Sequence, residues 1–286
     1  MVSKAPTKTV LPPNGMKNRG NTCFFNASMQ CLISIPGIVK YFQETAFDSK
    51  KQPFSKEMQN FIFKYRNYKV VDPSEFIKSI QGSIKMFDGK QQDAHSFLEY
   101  LLNHFSNEAA SQDKNFFKEN FGIHSEDTIK CHKCSFTSKV KAFSTMQYLV
   151  VTKSIQESIN AYVNNSEIID SSCPWKCEKC ESKSDSSISH RLKSTSNYVI
   201  FYLNRFQSLT QKNHRSIYID ETISICDELY DNIGIVCHSG GLSSGHYFSY
   251  AKRDFWYEFN DSFVQKADLP TDAETVYVLF YSRKLN

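Results

Sequence analysis

Cys23 opens an apolar run, Cys-Phe-Phe-Asn-Ala-Ser-Met-Gln-Cys-Leu, directly after the turn residues Gly20, Asn21 and Thr22. Turn and capping residue types ahead of such a run mark a helix start, here of a helix that ends before Pro36-Gly37. A thiol at a helix N-terminus meets unpaired backbone N–H groups and the positive end of the helix dipole, both of which favour the nucleophilic thiolate. Cys31, further along the same run, lacks that position and reads as a core cysteine. A cysteine nucleophile needs a base, and of the eight histidines His246 is the best placed. It follows a loop containing Gly240, Gly241 and Gly245 and begins an apolar run. Beyond it, Phe255 to Ser262 alternates like a strand and ends on Asn260 and Asp261, either of which can orient an imidazole. A hairpin between the two stretches would bring ring and orienting group together.

Further chemistry lies in two C-x2-C pairs, Cys131/Cys134 and Cys177/Cys180, separated by a long insertion. Two tight turns each presenting two thiolates suit a tetrahedral, structural Zn²⁺. His132 and Cys173 lie nearby but off the matched spacing. A redox dithiol is disfavoured, because neither pair opens a βαβ unit. The cysteines number nine, an odd count, and no secretory signal precedes them. That usage fits thiols that ligate, react or pack in a cytoplasmic and/or nuclear protein better than a disulfide framework.

These side chains need elements to carry them. Asp72-Pro73-Ser74-Glu75 combines a cap, a proline at the first helical position and an acid three residues past the cap. It predicts a helix placing Phe76, Ile77, Ile80, Ile84 and Phe87 on one side. Gln91 to Phe105 carries Ala94, Phe97, Leu98, Leu101, Leu102 and Phe105 at helical spacing, and Met58, Phe61, Ile62 and Tyr65 repeat the pattern upstream. From about Thr145 the chain turns to β-branched and aromatic runs: 148–152, 198–203, 233–237, 247–251 and 276–281. Residues 181–197, rich in serine, read as a loop or exposed hairpin. Helices first and strands later predict an α+β protein with antiparallel sheet.

Composition sets the outer bounds. With 40% apolar residues, 23 Phe and 15 Tyr, the chain is no disordered polymer. A net charge of +4 without a basic block gives no reason to expect nucleic acid. No apolar run reaches the ~18 residues that span a bilayer, so no membrane is expected. Residues 1–14, with Lys4, Lys8 and three prolines, read as a disordered lead-in.

Taken in order, Gly15–Gln30, Gln91–Leu102, Leu203–Phe206 and Gly245–Asp261 resemble the cysteine box, glutamine-aspartate box, palm strand motif and histidine box of the ubiquitin-specific protease family. The resemblance implies a papain-like thumb, palm and fingers architecture in a single catalytic domain, residues 15–286. The thumb would span about 15–120, the fingers with their zinc knuckles about 125–200, and the palm mainly 200–284. It implies a deubiquitinating cysteine protease that hydrolyses the bond after ubiquitin's C-terminal glycine through a thioester on Cys23. His246 would be the base, Asn260 its orienting residue and Asn18 the oxyanion donor. Gln92 and Asp93 would hold ubiquitin's tail. Asp261 would support the oxyanion side or fix the turn, or else replace Asn260 as the third catalytic residue.

The implied cofactor is structural zinc, and the implied partners are ubiquitin, ubiquitinated proteins and a regulatory complex. Three positions depart from the family's habit: Phe24 for Tyr, Ser96 for an acid and Asn204 for Lys. A non-catalytic ubiquitin-binding scaffold would not need Cys23, His246, Asn260 and Asp261 together. A protease for another ubiquitin-like modifier would share the tail chemistry. A zinc ribbon for nucleic acid would need clustered Lys and Arg around the knuckles.

Overall fold

The computed structural model describes residues 9–111, 115–169, 175–183, 185–206, 211–241 and 244–284. Its first part is helical. Helix α1 (Cys23–Leu32) is buried along its whole length, because it lies between the other helices and the sheet. Helices α2 (Pro36–Glu44) and α3 (Pro53–Asn67) both begin on proline, whose missing N–H and fixed φ suit the first turn. Helix α4 (Ser74–Ile80) starts where the Asp72 carboxylate accepts the Ser74 N–H at 3.1 Å. It is shorter than the spacing predicts. The chain leaves it near Gly82, a poor helix former, and Ile84 reaches the same core from a turn. Helix α5 (Ala94–Glu108) begins after Gln91 and Gln92, because the Asp93 side chain caps it by accepting the Ser96 N–H at 2.9 Å.

After α6 (Phe116–Asn120) the chain forms a four-stranded antiparallel sheet in the order β4-β3-β7-β6. Its strands are β3 (Ile123–Cys131), β4 (Thr137–Ser144), β6 (Ser166–Ile169) and β7 (Ser186–Thr195). Strand β7 corrects the expected loop or exposed hairpin at 181–197. It pairs with β3 on one side and β6 on the other, and two rows of backbone hydrogen bonds outweigh the weak strand preference of its serines. Helix α7 (Ile155–Asn164), also unforeseen, opens on Ser154, whose hydroxyl accepts the Glu157 N–H. The S-x-x-E spacing that marks such a start was legible.

The larger sheet has the order β14-β13-β12-β11-β16-β8-β5, with β10 on the free part of β11. Its members are β5 (Gln147–Leu149), β8 (Tyr198–Leu203), β10 (Thr222–Ile225), β11 (Glu228–Gly240), β12 (Gly245–Lys252), β13 (Trp256–Asn260), β14 (Phe263–Lys266) and β16 (Val276–Arg283). All pairs are antiparallel except β5 with β8. Two short ladders, β1 (Gly15–Met16) with β2 (Val70–Val71) and β9 (Ile217–Tyr218) with β15 (Asp272–Ala273), tie loops down.

Neighbouring strand residues enter opposite cores: Ile200, Val236, Val278 and Phe280 join the helical thumb side, whereas Phe201, Cys237, Leu279 and Tyr281 join the side with α7. Burial on both faces explains why these strands read as unbroken apolar runs.

Residues 1–8 of the expected lead-in lie outside the described residues. From there the chain is packed, since Leu11 is buried and Asn14 exchanges hydrogen bonds with Tyr65. No described helix is long and apolar enough to cross a membrane.

Candidate active site

Cys23 is the first residue of α1 and is 1% exposed. The turn before it runs through Gly20 and Asn21, both with positive φ (88° and 51°). This turn gathers three donors on one acceptor: the Asn18 Oδ1 accepts from the Gly20 N–H, the Thr22 N–H and the Thr22 hydroxyl at 3.1–3.2 Å. With its oxygen so engaged, the Asn18 amide turns its Nδ2 outward, where it donates to the Asp261 carboxylate at 2.9 Å. Burial pushes the Cys23 thiol's pKa up and the nearby Asp261 charge adds to it, while the backbone N–H groups of Tyr247 and Phe24 pull it down. The helix start thus acts in the expected direction but does not outweigh desolvation.

His246 lies at the start of β12, opposite Ser239 of β11. Its Nε2 is 2.7 Å from Asn260 Oδ1, at the end of β13. An amide oxygen only accepts, so Nε2 carries the proton and Nδ1 keeps the basic lone pair. Asp261 takes the other direction. It sits at φ 52° in the turn after β13, accepts from Asn18 and from Asn26 Nδ2 (2.7 Å), and its carbonyl accepts the Met16 N–H. The left-handed backbone at Asp261, just past the end of β13, separates the two neighbours.

A cleft of about 490 Å³ runs beside these groups, lined by Gln91, Gln92, Asp93, Tyr247 and Tyr277 among others. Gln92 donates to Asp88 at 2.8 Å and holds its own loop. Asp93 receives the Tyr277 hydroxyl at 2.5 Å and the His95 ring at 2.6 Å, in addition to capping α5. Burial pushes the Asp93 carboxyl's pKa up, but these hydrogen bonds together hold it below the ordinary value. Tyr277, His95 and Gln91, whose Oε1 lies 3.9 Å from the Cys23 sulfur, were not singled out from sequence. Only the fold brings Tyr277 on β16 to the end of α5.

The four cysteines of the knuckles converge at the tip of the four-stranded sheet, with all sulfurs within 4.8 Å of one another. Two of the cross pairs are Cys131–Cys180 at 3.9 Å and Cys134–Cys177 at 3.6 Å. Tetrahedral ligands at ~2.3 Å would stand about 3.8 Å apart, so the donor set fits one metal ion. The knuckles are built alike. Ser135 and Glu181, each following the second cysteine, have φ near 58° and 53° and donate back to the carbonyls of Cys131 and Cys177. His132 is exposed and outside the cluster, and Cys173 lies outside the described residues.

The family model for ubiquitin carboxyl-terminal hydrolase matches residues 14–281. Ubiquitin carboxyl-terminal hydrolase 25 of Arabidopsis thaliana is 27% identical over 95% of this chain and 47% of its own length. Ubiquitin carboxyl-terminal hydrolase 12 of Salmo salar is 27% identical over 94% of the chain and 89% of its own length. The chain thus spans about half of the first of these relatives, and it spans 31% of ubiquitin carboxyl-terminal hydrolase 16 of Arabidopsis thaliana. Among solved structures, a chain of the SAGA DUB module Ubp8/Sgf11/Sus1/Sgf73 bound to monoubiquitin has a TM-score of 0.77 at 21% identity, covering 95% of this chain and 69% of that one. The same module bound to ubiquitin aldehyde gives 0.76 at 20%, covering 95% and 70%.

Proposed function

Because the chain belongs to the ubiquitin carboxyl-terminal hydrolase family, matched over residues 14–281, we propose that it is a deubiquitinating cysteine protease acting after ubiquitin's C-terminal glycine. The observation that carries this is the His246–Asn260 contact of 2.7 Å, which leaves Nδ1 as the ring's basic nitrogen, one residue from the Tyr247 backbone N–H that meets the Cys23 thiol.

The Cys23 proton passes to His246 Nδ1 and the sulfur attacks the glycine carbonyl. The oxyanion is held by the second Nδ2 proton of Asn18, whose first is spent on Asp261. Collapse expels the lysine amine, which leaves with the proton from the imidazolium, and water then hydrolyses the thioester with His246 as base again. Asn260 keeps the ring in the required tautomer. Asp261 acts through Asn18 and through the turn. Gln92 and Asp93 border the cleft that takes the extended tail.

Zinc is the metal we assign to Cys131, Cys134, Cys177 and Cys180, since four thiolates in a closed tetrahedron suit it, and bound there it supplies folding energy to the fingers. The residues divide as thumb, fingers and palm of one catalytic domain. The SAGA neighbours are bound to ubiquitin within a multi-protein module. We carry over ubiquitin as the ligand and a regulatory complex as the context, in the nucleus or cytoplasm.

The test is ubiquitin bearing a C-terminal electrophile. One adduct should form, on Cys23, and Cys23→Ala should abolish it while ubiquitin still binds. An adduct that survives Cys23→Ala or settles on Cys31 rejects the assignment. Reaction only with a different ubiquitin-like modifier would keep the chemistry and replace the substrate.

A further inference from the structure

Three segments of the chain carry the reacting groups. Cys23 starts α1, His246 and Asn260 sit near the open ends of the β12–β13 hairpin, and Asn18 follows the stretch that begins at Asn14. At the other end of α1 all three meet in one buried cluster. Its centre is Arg253, in the turn that closes the hairpin, 7% exposed. Its Nη1 donates to the Ser34 hydroxyl and, at 3.2 Å, to the Lys252 carbonyl. Its Nη2 donates to the Gln30 carbonyl at 3.1 Å and to the Gln30 side-chain oxygen at 2.9 Å. Gln30 lies in the last turn of α1, where carbonyls lack helical partners and a cation is favoured. The Gln30 amide in turn donates to the Asn14 carbonyl at 2.8 Å, and the Tyr65 hydroxyl stands 2.7 Å from Gln30 Oε1 and 2.6 Å from that carbonyl. The guanidinium also lies over the ring of Phe259, the residue before Asn260, at 5.0 Å.

Stability does not account for this arginine. Every oxygen it donates to is uncharged, and among the described residues no carboxylate pairs with it and its buried Nε has no partner. A buried cation so placed carries a desolvation cost that neutral contacts offset only in part. Nor would its partners be stranded without it, since the Gln30 carbonyl also accepts the Ser34 hydroxyl at 2.9 Å and Tyr65 stands beside Gln30 Oε1. What the arginine alone does is join the hairpin turn to the end of α1 and, through Gln30, to the segment leading to Asn18.

We infer that Arg253 is a positioning residue for the reaction: by tying the hairpin turn to the last turn of α1, it sets the His246 ring against the Cys23 sulfur. Helix α1 packs on β12, so a slip of one past the other at the Arg253 end is felt at the catalytic end. A displacement of ~1 Å between reacting groups is enough to slow a step about 10²-fold. Gln92 and Asp93, which border the tail cleft, lie at the start of α5 and outside this cluster. The inference rests on the reading of Cys23 and His246 as nucleophile and base of a ubiquitin protease.

The test uses the full chain and ubiquitin carrying a fluorogenic C-terminal amide. Arg253→Met keeps the apolar stem and removes every donor. It should hold Tm near the wild-type value or raise it, as replacing a buried charge by an apolar side chain often does. It should nevertheless lower kcat about 10–100-fold while KM stays within about twofold, a split that a merely structural role would not produce. Arg253→Lys, whose ammonium brings three donors to the same oxygens, should recover most of the lost kcat. Gln30→Met should lower kcat as well, and adding Arg253→Met to it should cost little more, because the two residues act as one unit. Wild-type kcat in Arg253→Met, a loss confined to KM, failure of Arg253→Met to fold, Arg253→Lys as slow as Arg253→Met, or fully additive losses with Gln30→Met each overturns the inference and leaves the protease assignment standing. A wild-type chain that turns over no ubiquitin substrate overturns the assignment itself, and this inference with it.

Discussion

Cys23 is pulled two ways: the amides of Phe24 and Tyr247 favour a thiolate, and burial with Asp261 opposes it more strongly. In the free protein the alkylation rate of Cys23 by iodoacetamide should therefore rise through a midpoint above the ordinary thiol value of ~8.5, and Asp261→Asn should move that midpoint down. A rate already level below pH 7 would mean a preformed thiolate and reject this balance. Asp261 also aims Asn18. Asn18→Ala should lower kcat by roughly 10²–10³ with little change in affinity. Adding Asp261→Ala should cost little more, because both changes remove one donor. Asn260→Ala acts through His246 instead and should combine with Asn18→Ala nearly additively. Kinetics in which Asp261 is additive with Asn18 but not with Asn260 would place Asp261 beside the imidazole.

At the scale of an element, Asp93 joins α5 to the sheet. Its carboxylate caps the helix and receives the Tyr277 hydroxyl from β16. Asp93→Ala should therefore weaken substrate binding and also destabilise the fold by about 1–3 kcal/mol, from a lost cap and a stranded buried hydroxyl, whereas Asp93→Asn should keep much of the stability. The sign of the pH effect follows from the lowered pKa. The folded state holds this proton less tightly than the unfolded chain, so the contribution is complete above the unfolded value of ~3.9 and is lost as pH falls through the folded one. Denaturation curves in which Asp93→Ala matches the wild type at neutral pH would refute the cap. The residue types at this helix start were legible in sequence, but the dependence on Tyr277 was not, because 184 residues separate the partners.

Across the whole molecule, the four-stranded sheet is separate from the larger one and ends on the cysteine cluster, with β7 handing the chain back to β8. Its own apolar burial is thin, since Val140, Phe143 and Ile168 are exposed. Metal binding of ~10 kcal/mol apparent energy is then a large share of what holds its tip. One equivalent of zinc should co-purify. Chelation or Cys177→Ser should raise KM for ubiquitin at least about tenfold while Cys23 alkylation stays within about twofold of wild type. Elemental analysis finding no metal in protein that binds ubiquitin normally would refute this.

What the sequence determined by itself was local. The helix start at Cys23, the paired knuckles, the five apolar strand runs and the α+β class all follow from neighbouring residues, whose spacing fixes caps, turns and periodicity. The tertiary structure decided what depends on distance. It made β7 an interior strand, because pairing on two sides is invisible in a serine-rich segment. It turned Asn260 toward His246 and Asp261 toward Asn18, because side-chain direction at the end of β13 depends on register with β12 and on the turn's positive φ. It also set the Cys23 thiol above its ordinary value, because desolvation depends on everything packed around a group and no short motif encodes that sum.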